Sequence, residues 1–332
     1  MDSKKRWELI TRNTEEVITE PELKELLKKK KKPVAYCGYE PNGPLHLGHF
    51  VTVTKLMDLE KAGFKVIFFI ADVHALLNRK GQEEQIKKEV LAWKKTVKAI
   101  GLNAEVILGS SFQFKEQYQK DVMRIAQEST IKRGLKSMQQ IARDIEHATI
   151  SQLWYPIMQV VDIKHLGVDL AYGGMEQRKI HMIGREFRKL TKHNFVVLHT
   201  PLITSLKGPG QKMSKSVPNS FISIRDKKED IVKKIRNAYC PQGDPTISQN
   251  SQNNPILAIV KLIIFPMFGE ICVKVDKGSG HGVEETLKNY KDLENAFNGK
   301  SKDGRAIWAD DLKSAVAEYL EKIIAPIRKN FK

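Results

Sequence analysis

The feature that most constrains the fold of this 332-residue chain is a regular alternation of short apolar segments with longer amphipathic ones, from Val34 to Thr200. Apolar runs such as VIFFIA, which begins at Val66, have the length and residue types of buried strands. Between them lie segments with apolar residues at helical spacing, such as Glu83 to Ile100. Strands that alternate with helices predict a parallel sheet covered by helices and joined by right-handed connections.

The same patterns set the remaining elements of this region. Further strands are predicted at VAYCG, AEVIL, DLAYG and NFVVLHT, and further helices at about 45–62, 151–166 and 178–189. From Phe114 to His147 two helices follow each other without a strand, which predicts a helical insertion at about residues 112–149. The predicted fold class is α/β, a doubly wound, Rossmann-like parallel sheet with a helical insertion.

A different organisation follows the predicted sheet. The segment SLKGPGQKMSKSVPNS is rich in Gly, Pro, Ser and Lys, which is typical of a mobile loop. Helical apolar spacing then recurs at 226–239, 255–268, 287–297 and 310–329. We therefore predict a Rossmann-like domain over residues 1–206, a loop and linker over 207–225, and a smaller, mostly helical domain over 226–332.

The charge and cysteine content narrow the class of protein. Lysine plus arginine outnumber aspartate plus glutamate by 56 to 39, a net charge of +17, which favours a polyanionic partner such as nucleic acid. The alternative is the lysine bias of heat-adapted proteins, in which glutamate usually rises as well. The three cysteines are far apart and form no CxxC, so neither a disulfide framework nor a cysteine zinc site is predicted. Without a signal peptide or a spanning apolar run, a cytoplasmic location and no membrane partner are expected.

One motif lies where the first predicted strand leads into a helix. In AYCGYEPNGPLHLGHF, glycines and prolines follow the strand, and His46 and His49 stand where the helix opens. The N-terminus of such a helix presents N–H groups and the positive end of the helix dipole, which suits phosphate binding at the carboxyl edge of a doubly wound sheet. The absence of a side chain at Gly48 would let an adenine ring approach. Taken alone, two histidines three residues apart are often a packed pair or an incidental surface feature, and for a metal site no third ligand stands at a useful spacing.

A second motif, KMSKS, places Lys212 and Lys215 in the Gly/Pro-rich loop, where two ammonium groups could close over a triphosphate. Alone, such lysines are usually only solvated. Together and in this order, HLGH and KMSKS resemble the two signature sequences of class I aminoacyl-tRNA synthetases. The resemblance implies ATP as substrate with Mg²⁺ on its phosphates, an aminoacyl-adenylate, and transfer to tRNA. His46, His49, Lys212 and Lys215 would stabilise the transition state by position and charge, and no tightly bound cofactor or structural metal is expected.

The segment SQLWYPIMQVVDIKHLG carries a polar stripe. Tyr155, Gln159 and Asp162 are spaced i, i+4 and i+7, so they lie on one face of a helix. Most of their neighbours are apolar, which predicts a buried helix whose polar stripe needs partners. The alternative is a stripe that faces solvent.

This helix, together with GGMEQRKIHM, AYCGYEPNG and NAYCPQG, resembles the archaeal and eukaryotic tyrosyl-tRNA synthetases over nearly the whole chain. The resemblance implies that Tyr36 and Asp162 hydrogen-bond the phenol of tyrosine and that Tyr155, Gln159 and Gln177 hold its amino group. Residues implied at ATP are Gly38, Glu40, His46, Gly48, His49, Gly174, Glu176, Lys212 and Lys215, and His74, like Glu40, would line the tyrosine pocket less directly. Because phenylalanine would leave buried polar groups unpaired, the pocket should reject it.

The resemblance also implies tRNA(Tyr) as a partner and a homodimer paired through the insertion helices. Candidate contacts near the acceptor end of the tRNA are Lys132, Arg133, Lys136, Arg178 and Lys179. In the helical tail IWADDLKSAV resembles the anticodon-reading segment, where Asp311 could accept from a guanine edge and Trp308 could stack on a base. His281, in the separate loop GSGHG, is another possible stacking residue. For each of the five basic residues taken singly, a solvated surface charge is the favoured alternative, and His281 is equally well explained as a loop histidine.

Three other hypotheses stay open. A tryptophan-specific enzyme would share the fold and both signatures, although Tyr36 and Asp162 argue against it. A non-catalytic tRNA-binding relative would not need the two signatures, so the presence of His46, His49, Lys212 and Lys215 makes it the weaker hypothesis. A nucleotidyltransferase that makes adenylates of another carboxylic acid is excluded only by substrate data.

Overall fold

A computed structural model describes residues 1–139, 147–213, 217–242, 253–278, 280 and 282–330. Among these residues, six strands form one sheet in the order β1-β6-β5-β2-β3-β4. The strands are β1 (Glu16–Ile18), β2 (Val34–Tyr39), β3 (Lys65–Ile70), β4 (Glu105–Leu108), β5 (Leu170–Gly174) and β6 (Val196–Thr200). All neighbours are parallel except β1 and β6. The predicted α/β class is confirmed.

The sheet is wound in two directions from its middle. The chain passes from β2 to β3 and β4 on one side, and later from β5 to β6 on the other. In the central pair, Tyr36 of β2 lies beside Ala171 of β5. In such a sheet, ligands bind beyond the carboxyl ends of the strands at the point where the winding reverses. The segments after β2 and β5 are therefore the first place to look for a site.

The helices predicted at 45–62, 83–100 and 151–166 lie close to those bounds. The helices of this region are α1 (Ser3–Thr11), α2 (Glu20–Lys29), α3 (Leu47–Lys61), α4 (Asp72–Leu77), α5 (Glu83–Ile100), α6 (Glu116–Gln127), α7 (Ile131–Met138), α8 (Ile150–His165), α9 (Arg178–Glu186) and α10 (Arg188–Thr191). Helices α6 and α7 are the two successive helices of the predicted insertion. The single helix predicted at 178–189 is instead broken at Phe187, whose backbone leaves the helical region and whose ring packs against the core.

Strand β1 was not predicted, because three residues are too few to show a periodicity. It pairs antiparallel with β6, and in the register of that pair Glu16 lies opposite His199. This edge strand therefore brings together two polar residues that are far apart in the sequence.

The chain consists of two compact units. The first contains residues 1–44 and 56–201, and the second contains residues 45–55 and 202–332. The predicted domain boundaries stay a prediction. None of the described helices is both long and apolar enough to cross a membrane.

The second unit combines helices with short strands. Its elements after the first unit are two strands at Thr204–Ser205 and Gly208–Lys212, a helix at Lys228–Arg236, a helical run from Pro255 to Phe268 with a π-helical turn at Val260–Ile264, strands at Ile271–Val275 and Val283–Leu287, and helices at Tyr290–Phe297 and Ala309–Lys329. The antiparallel pair at 271–275 and 283–287 was missed, although ICVKV alternates buried and more exposed residues as a strand does.

Candidate functional site

Helix α8 carries the predicted polar stripe into the interior of the first unit. Tyr155, Gln159 and Asp162 are all buried, and Asp162 has no exposed surface. Helices and strands with apolar side chains pack around α8, including the residues of the cluster that contains Tyr36, Tyr118 and Val161. The alternative of a stripe that faces solvent is therefore wrong.

Two side chains from the helical insertion hold one oxygen of Asp162. The Gln113 Nε2 and the Tyr118 hydroxyl each donate to Asp162 Oδ1 at 2.8 Å. Burial nevertheless raises the pKa of Asp162 to about 7, because loss of hydration disfavours the carboxylate more than these two hydrogen bonds favour it. Near neutral pH the group is therefore poised between its charged and uncharged forms.

The second oxygen of Asp162 faces His74 of α4. Asp162 Oδ2 and His74 Nε2 are 3.4 Å apart, and neither atom has a hydrogen-bond partner among the described residues. Burial lowers the pKa of His74 to about 3, so its ring is neutral, and Gln113 Nε2 lies 3.4 Å from its Nδ1. If Nδ1 accepts from Gln113, the ring proton is on Nε2. A hydroxyl that accepts from His74 and donates to Asp162 would satisfy both atoms, and leaving them unsatisfied is costly.

Tyr36 reaches the same interior from β2. Burial raises the pKa of its hydroxyl well above the usual value, and the nearby charge of Asp162 adds to this rise. The hydroxyl is therefore protonated and can donate. Two residues further along β2, a Cβ at Gly38 would lie 3.3 Å from the Phe69 ring and 3.8 Å from the Tyr36 ring, which explains a glycine there.

The segment after β5 brings Gln177 and Glu176 to the end of the strand. Gln159 Nε2 donates to Gln177 Oε1 at 3.2 Å, so two of the residues predicted to hold an amino group are in contact. A Cβ at Gly173 would lie 2.9 Å from Gln177 Cγ, and one at Gly174 would overlap the Glu176 carboxylate. The two glycines therefore let these side chains fold back over the strand.

Glu40, which follows β2, is held by a short chain of amides. Asn78 Nδ2 donates to Glu40 Oε1 at 3.0 Å, and Gln152 Nε2 donates to Asn78 Oδ1 at 3.1 Å. Because Gln152 lies in the first turn of α8, the position of Glu40 is linked to the helix that carries Asp162.

The HLGH motif belongs to the second unit, and its histidines bond the backbone at the start of α3. Gly48 N–H donates to His46 Nδ1, and His46 N–H donates to His49 Nδ1, both at 3.1 Å. Because each Nδ1 accepts, each neutral ring carries its proton on Nε2. A Cβ at Gly48 would lie 2.8 Å from the His46 ring, so the glycine is required by the histidine itself. The predicted approach of adenine at Gly48 stays a prediction.

Some of the other predicted site residues lie outside the part of the chain that the structure describes. Lys212 ends the strand Gly208–Lys212, whereas Lys215 and His281 are not among the described residues. Trp308 is 55% exposed and precedes the helix that begins at Ala309, and Asp311 lies half-buried in its first turn.

The basic residues predicted to contact tRNA differ in their surroundings. Lys132 and Lys136 are exposed. Arg133 is paired with the carboxylate of Glu186, Arg178 Nε donates to Glu16 at 2.7 Å, and Lys179 Nζ donates to Gln139 at 2.7 Å. The two arginines are thus paired with carboxylates while their side chains remain partly exposed.

Sequence reasoning missed several polar residues of this interior, namely Glu16, Gln113, Tyr118, His181 and His199. Gln113 and Tyr118 stand in the insertion without any motif around them. His181 lies in the segment GGMEQRKIHM, but only its hydrogen bond to His199 shows that it belongs to this interior. No local pattern in the sequence carries that information.

The chain is similar to known proteins over nearly its full length. Residues 28–298 match the family model described as tRNA synthetases class I (W and Y). The chain is 46% identical over 333 residues to the tyrosine–tRNA ligase of Archaeoglobus fulgidus, covering 99% of this chain and 98% of that protein. It is 42% identical over 328 residues to that of Methanosarcina barkeri, covering 98% of each. The crystal structure of the Archaeoglobus fulgidus tyrosyl-tRNA synthetase complexed with L-tyrosine matches with a TM-score of 0.90 and 43% identity over 100% of both chains.

Proposed function

This chain belongs to the class I tRNA synthetases of the tryptophan and tyrosine group, and we propose how its residues carry out the reaction of a tyrosine–tRNA ligase. The enzyme activates L-tyrosine with ATP, giving tyrosyl-adenylate and pyrophosphate, and then transfers tyrosine to the 3′-terminal adenosine of tRNA(Tyr). One observation carries the choice of amino acid: the two buried polar atoms, Asp162 Oδ2 and His74 Nε2, that have no partner among the described residues.

A phenol hydroxyl fits this pair of atoms in both of its roles. It accepts from His74 Nε2–H and donates to Asp162 Oδ2, with Tyr36 as a further partner. Phenylalanine has no hydroxyl, so it would leave the buried carboxylate and imidazole unpaired. An indole N–H only donates, so tryptophan could satisfy Asp162 but could not accept from His74. Tyrosine is therefore favoured over both.

The amino group of the substrate is assigned to Tyr155, Gln159 and Gln177. Gln159 and Gln177 are joined by a hydrogen bond, so their amide oxygens lie near one another. An ammonium group has three donors and no acceptor, and amide and phenol oxygens are suitable partners for it.

Activation itself needs charge stabilisation more than proton transfer. The Nε2–H groups of His46 and His49 are donors of the right kind for phosphate oxygens, and Lys212 and Lys215 add positive charge. The nucleotide is assigned to Gly38, Glu40, Gly48, Gly174 and Glu176. No group of three His, Cys, Asp or Glu side chains in the described part of the chain is arranged to hold a metal. Mg²⁺ is therefore proposed to be held by the phosphate oxygens, and no step is assigned to it.

Recognition of tRNA and assembly complete the proposal. The basic residues of α7 and of the start of α9 contact the acceptor end, and residues 226–332 form the anticodon-binding domain with Trp308 and Asp311. The protein forms a homodimer through the insertion, where Phe114, Met123 and Ile131 are strongly exposed apolar residues. Its expected location is the cytoplasm.

The test of specificity is pyrophosphate exchange into ATP, measured with each of the twenty amino acids. Exchange that depends on tyrosine alone is expected. Exchange with tryptophan would identify the other specificity of the family, and exchange with none would identify a binding relative without the reaction.

A further inference from the structure

A second buried chain of hydrogen bonds runs from Gln159 to the surface of the first unit. Gln159 Nε2 lies 3.4 Å from His181 Nε2, and His181 Nδ1 lies 2.9 Å from His199 Nε2. His199 Nδ1 in turn lies 2.8 Å from Glu16 Oε1, which also accepts from Arg178 Nε. Both imidazole rings are fully buried, whereas the Arg178 side chain is 45% exposed. The chain therefore connects a proposed substrate-binding amide with an ion pair at the surface.

Four secondary-structure elements supply the residues of this series of hydrogen bonds. Gln159 belongs to α8, His181 to α9, His199 to β6 and Glu16 to β1. Glu16 reaches His199 because the two residues are paired in the register of β1 and β6. The two imidazole rings are stacked at 5.1 Å between centroids, with 20° between their planes. Their relative position is thus fixed by packing as well as by hydrogen bonding.

The carboxylate of Glu16, at the outer end of this series of hydrogen bonds, sets the direction of each of them. A carboxylate only accepts, so His199 donates from Nδ1–H to Glu16. A neutral ring has one donor and one acceptor, so His199 Nε2 accepts from His181 Nδ1–H, and His181 Nε2 accepts from Gln159 Nε2. The other hydrogen of Gln159 Nε2 goes to Gln177 Oε1. The Gln159 amide is thereby oriented, with Oε1 as its remaining acceptor.

We propose that Glu16, His199 and His181 are positioning residues that orient the Gln159 amide so that its oxygen accepts from the ammonium group of the substrate. This inference rests on the proposed function, in which Gln159 binds the amino group of tyrosine. If the direction of the chain were reversed, Gln159 would present its NH₂ group to the ammonium, and two donors would face each other.

Both histidines must be neutral for the direction to be transmitted, and their surroundings favour that state. Burial lowers the pKa of His181 well below its usual value, and the adjacent His199 lowers it further. Burial also lowers the pKa of His199, which Glu16 opposes and Arg178 reinforces. The charged and titratable groups that face His199 are thus Glu16 from β1 and Arg178 and His181 from α9.

The first test is the tautomer of each histidine in the wild-type protein, read from ¹⁵N chemical shifts with His181→Phe and His199→Phe for assignment. The expected result is a proton on Nδ1 in both rings, which is the less common tautomer of free imidazole. A proton on Nε2 of either ring would overturn the proposal. Because this measurement uses the wild-type protein, it does not depend on the folding of any kinetic variant.

The second test is Glu16→Gln in tyrosine-dependent pyrophosphate exchange. A glutamine can donate as well as accept, so it no longer fixes the direction of the chain. We expect KM for tyrosine to rise about five- to tenfold, the size of one ordinary hydrogen bond, with kcat and KM for ATP unchanged. The matched control is Glu22→Gln, since Glu22 is also a partly exposed carboxylate paired with an arginine, Arg185. The control should have wild-type KM for tyrosine.

A substrate analogue separates positioning from general damage to the pocket. 3-(4-Hydroxyphenyl)propionate keeps the phenol and the carboxylate but lacks the amino group. Its inhibition constant should be the same for the wild type and Glu16→Gln, because it makes no bond to Gln159. Equal weakening of tyrosine and the analogue, or no weakening of tyrosine, would refute the proposal. Absence of tyrosine-dependent exchange in the wild type would instead refute the proposed function.

Discussion

Two buried polar networks meet helix α8 within one turn of each other, and they are built differently. The network at Asp162 includes atoms of Asp162 and His74 that have no partner among the described residues. The second network, the Glu16 network, consists of Gln159, His181, His199 and Glu16. It gives each nitrogen of the two histidines a partner and ends at a carboxylate near the surface. We propose that this difference reflects two tasks: the first network receives a ligand group, and the second holds a protein group in one orientation.

The two networks also differ in what they do to stability. Closing hydrogen bonds throughout the Glu16 network removes most of the penalty for burying its polar atoms. The Asp162 network keeps a carboxyl group buried without full compensation, which is typical of sites where stability is given up for function. Substitutions that affect one network and leave the other intact test this difference.

The largest effect is expected for Asp162→Ala. It removes the acceptor of the substrate phenol, so kcat/KM for tyrosine should fall on the order of 100- to 1000-fold, while KM for ATP stays unchanged. Asp121→Ala is the matched control and should keep the wild-type value, because Asp121 is also nearly buried but is bonded to Lys164 of α8. Steady-state pyrophosphate exchange measures both. A tyrosine dependence of Asp162→Ala equal to that of the wild type would show that the phenol binds elsewhere.

The next largest effect is expected for Asp162→Asn, in the pH dependence of the free energy of unfolding of the protein without ligand. The folded-state pKa of Asp162, about 7, lies above the ordinary value of 3.8, so the unfolded chain releases the proton first. Stability from this group is therefore full below pH 4 and is lost as pH rises towards 7. Because asparagine cannot ionise, the free energy of unfolding of Asp162→Asn relative to that of the wild type should rise by about 4 kcal/mol between pH 4 and pH 8. Urea unfolding at the two pH values measures this, and an equal difference at both would contradict the raised pKa.

A smaller effect is expected for Tyr118→Phe. The substitution removes one of the two donors to Asp162 Oδ1, so the carboxylate is less well held and KM for tyrosine should rise about tenfold. Tyr172→Phe is the control, because that buried hydroxyl bonds Thr200 and not Asp162. Saturation curves with tyrosine distinguish the two variants. Equal KM values would mean that Tyr118 only fills space.

The two networks were not equally predictable from the sequence. The stripe of Tyr155, Gln159 and Asp162 follows from helical spacing in an apolar setting, and its burial is confirmed. The partners Gln113 and Tyr118 come from a helical insertion whose packing no local pattern encodes. The Glu16 network depends on a three-residue strand and its register, both of which arise only when β1 adds to the sheet. Periodicity reports which face of an element is buried, but not which buried residues meet.

The smallest effect is expected at the outer end of the Glu16 network. At acid pH His199 gains a second proton, its Nε2 can no longer accept from His181, and KM for tyrosine should rise. The positive charge of Arg178 lowers the pKa of His199, so Arg178→Gln should raise that pKa and shift the rise in KM to higher pH. Because Arg178 is partly exposed, the change in KM near neutral pH should be about twofold or less. Measuring KM for tyrosine from pH 5 to 8 in both proteins tests this. A profile that moves to lower pH would show that the ion pair of Arg178 and Glu16 does not act on the buried histidines.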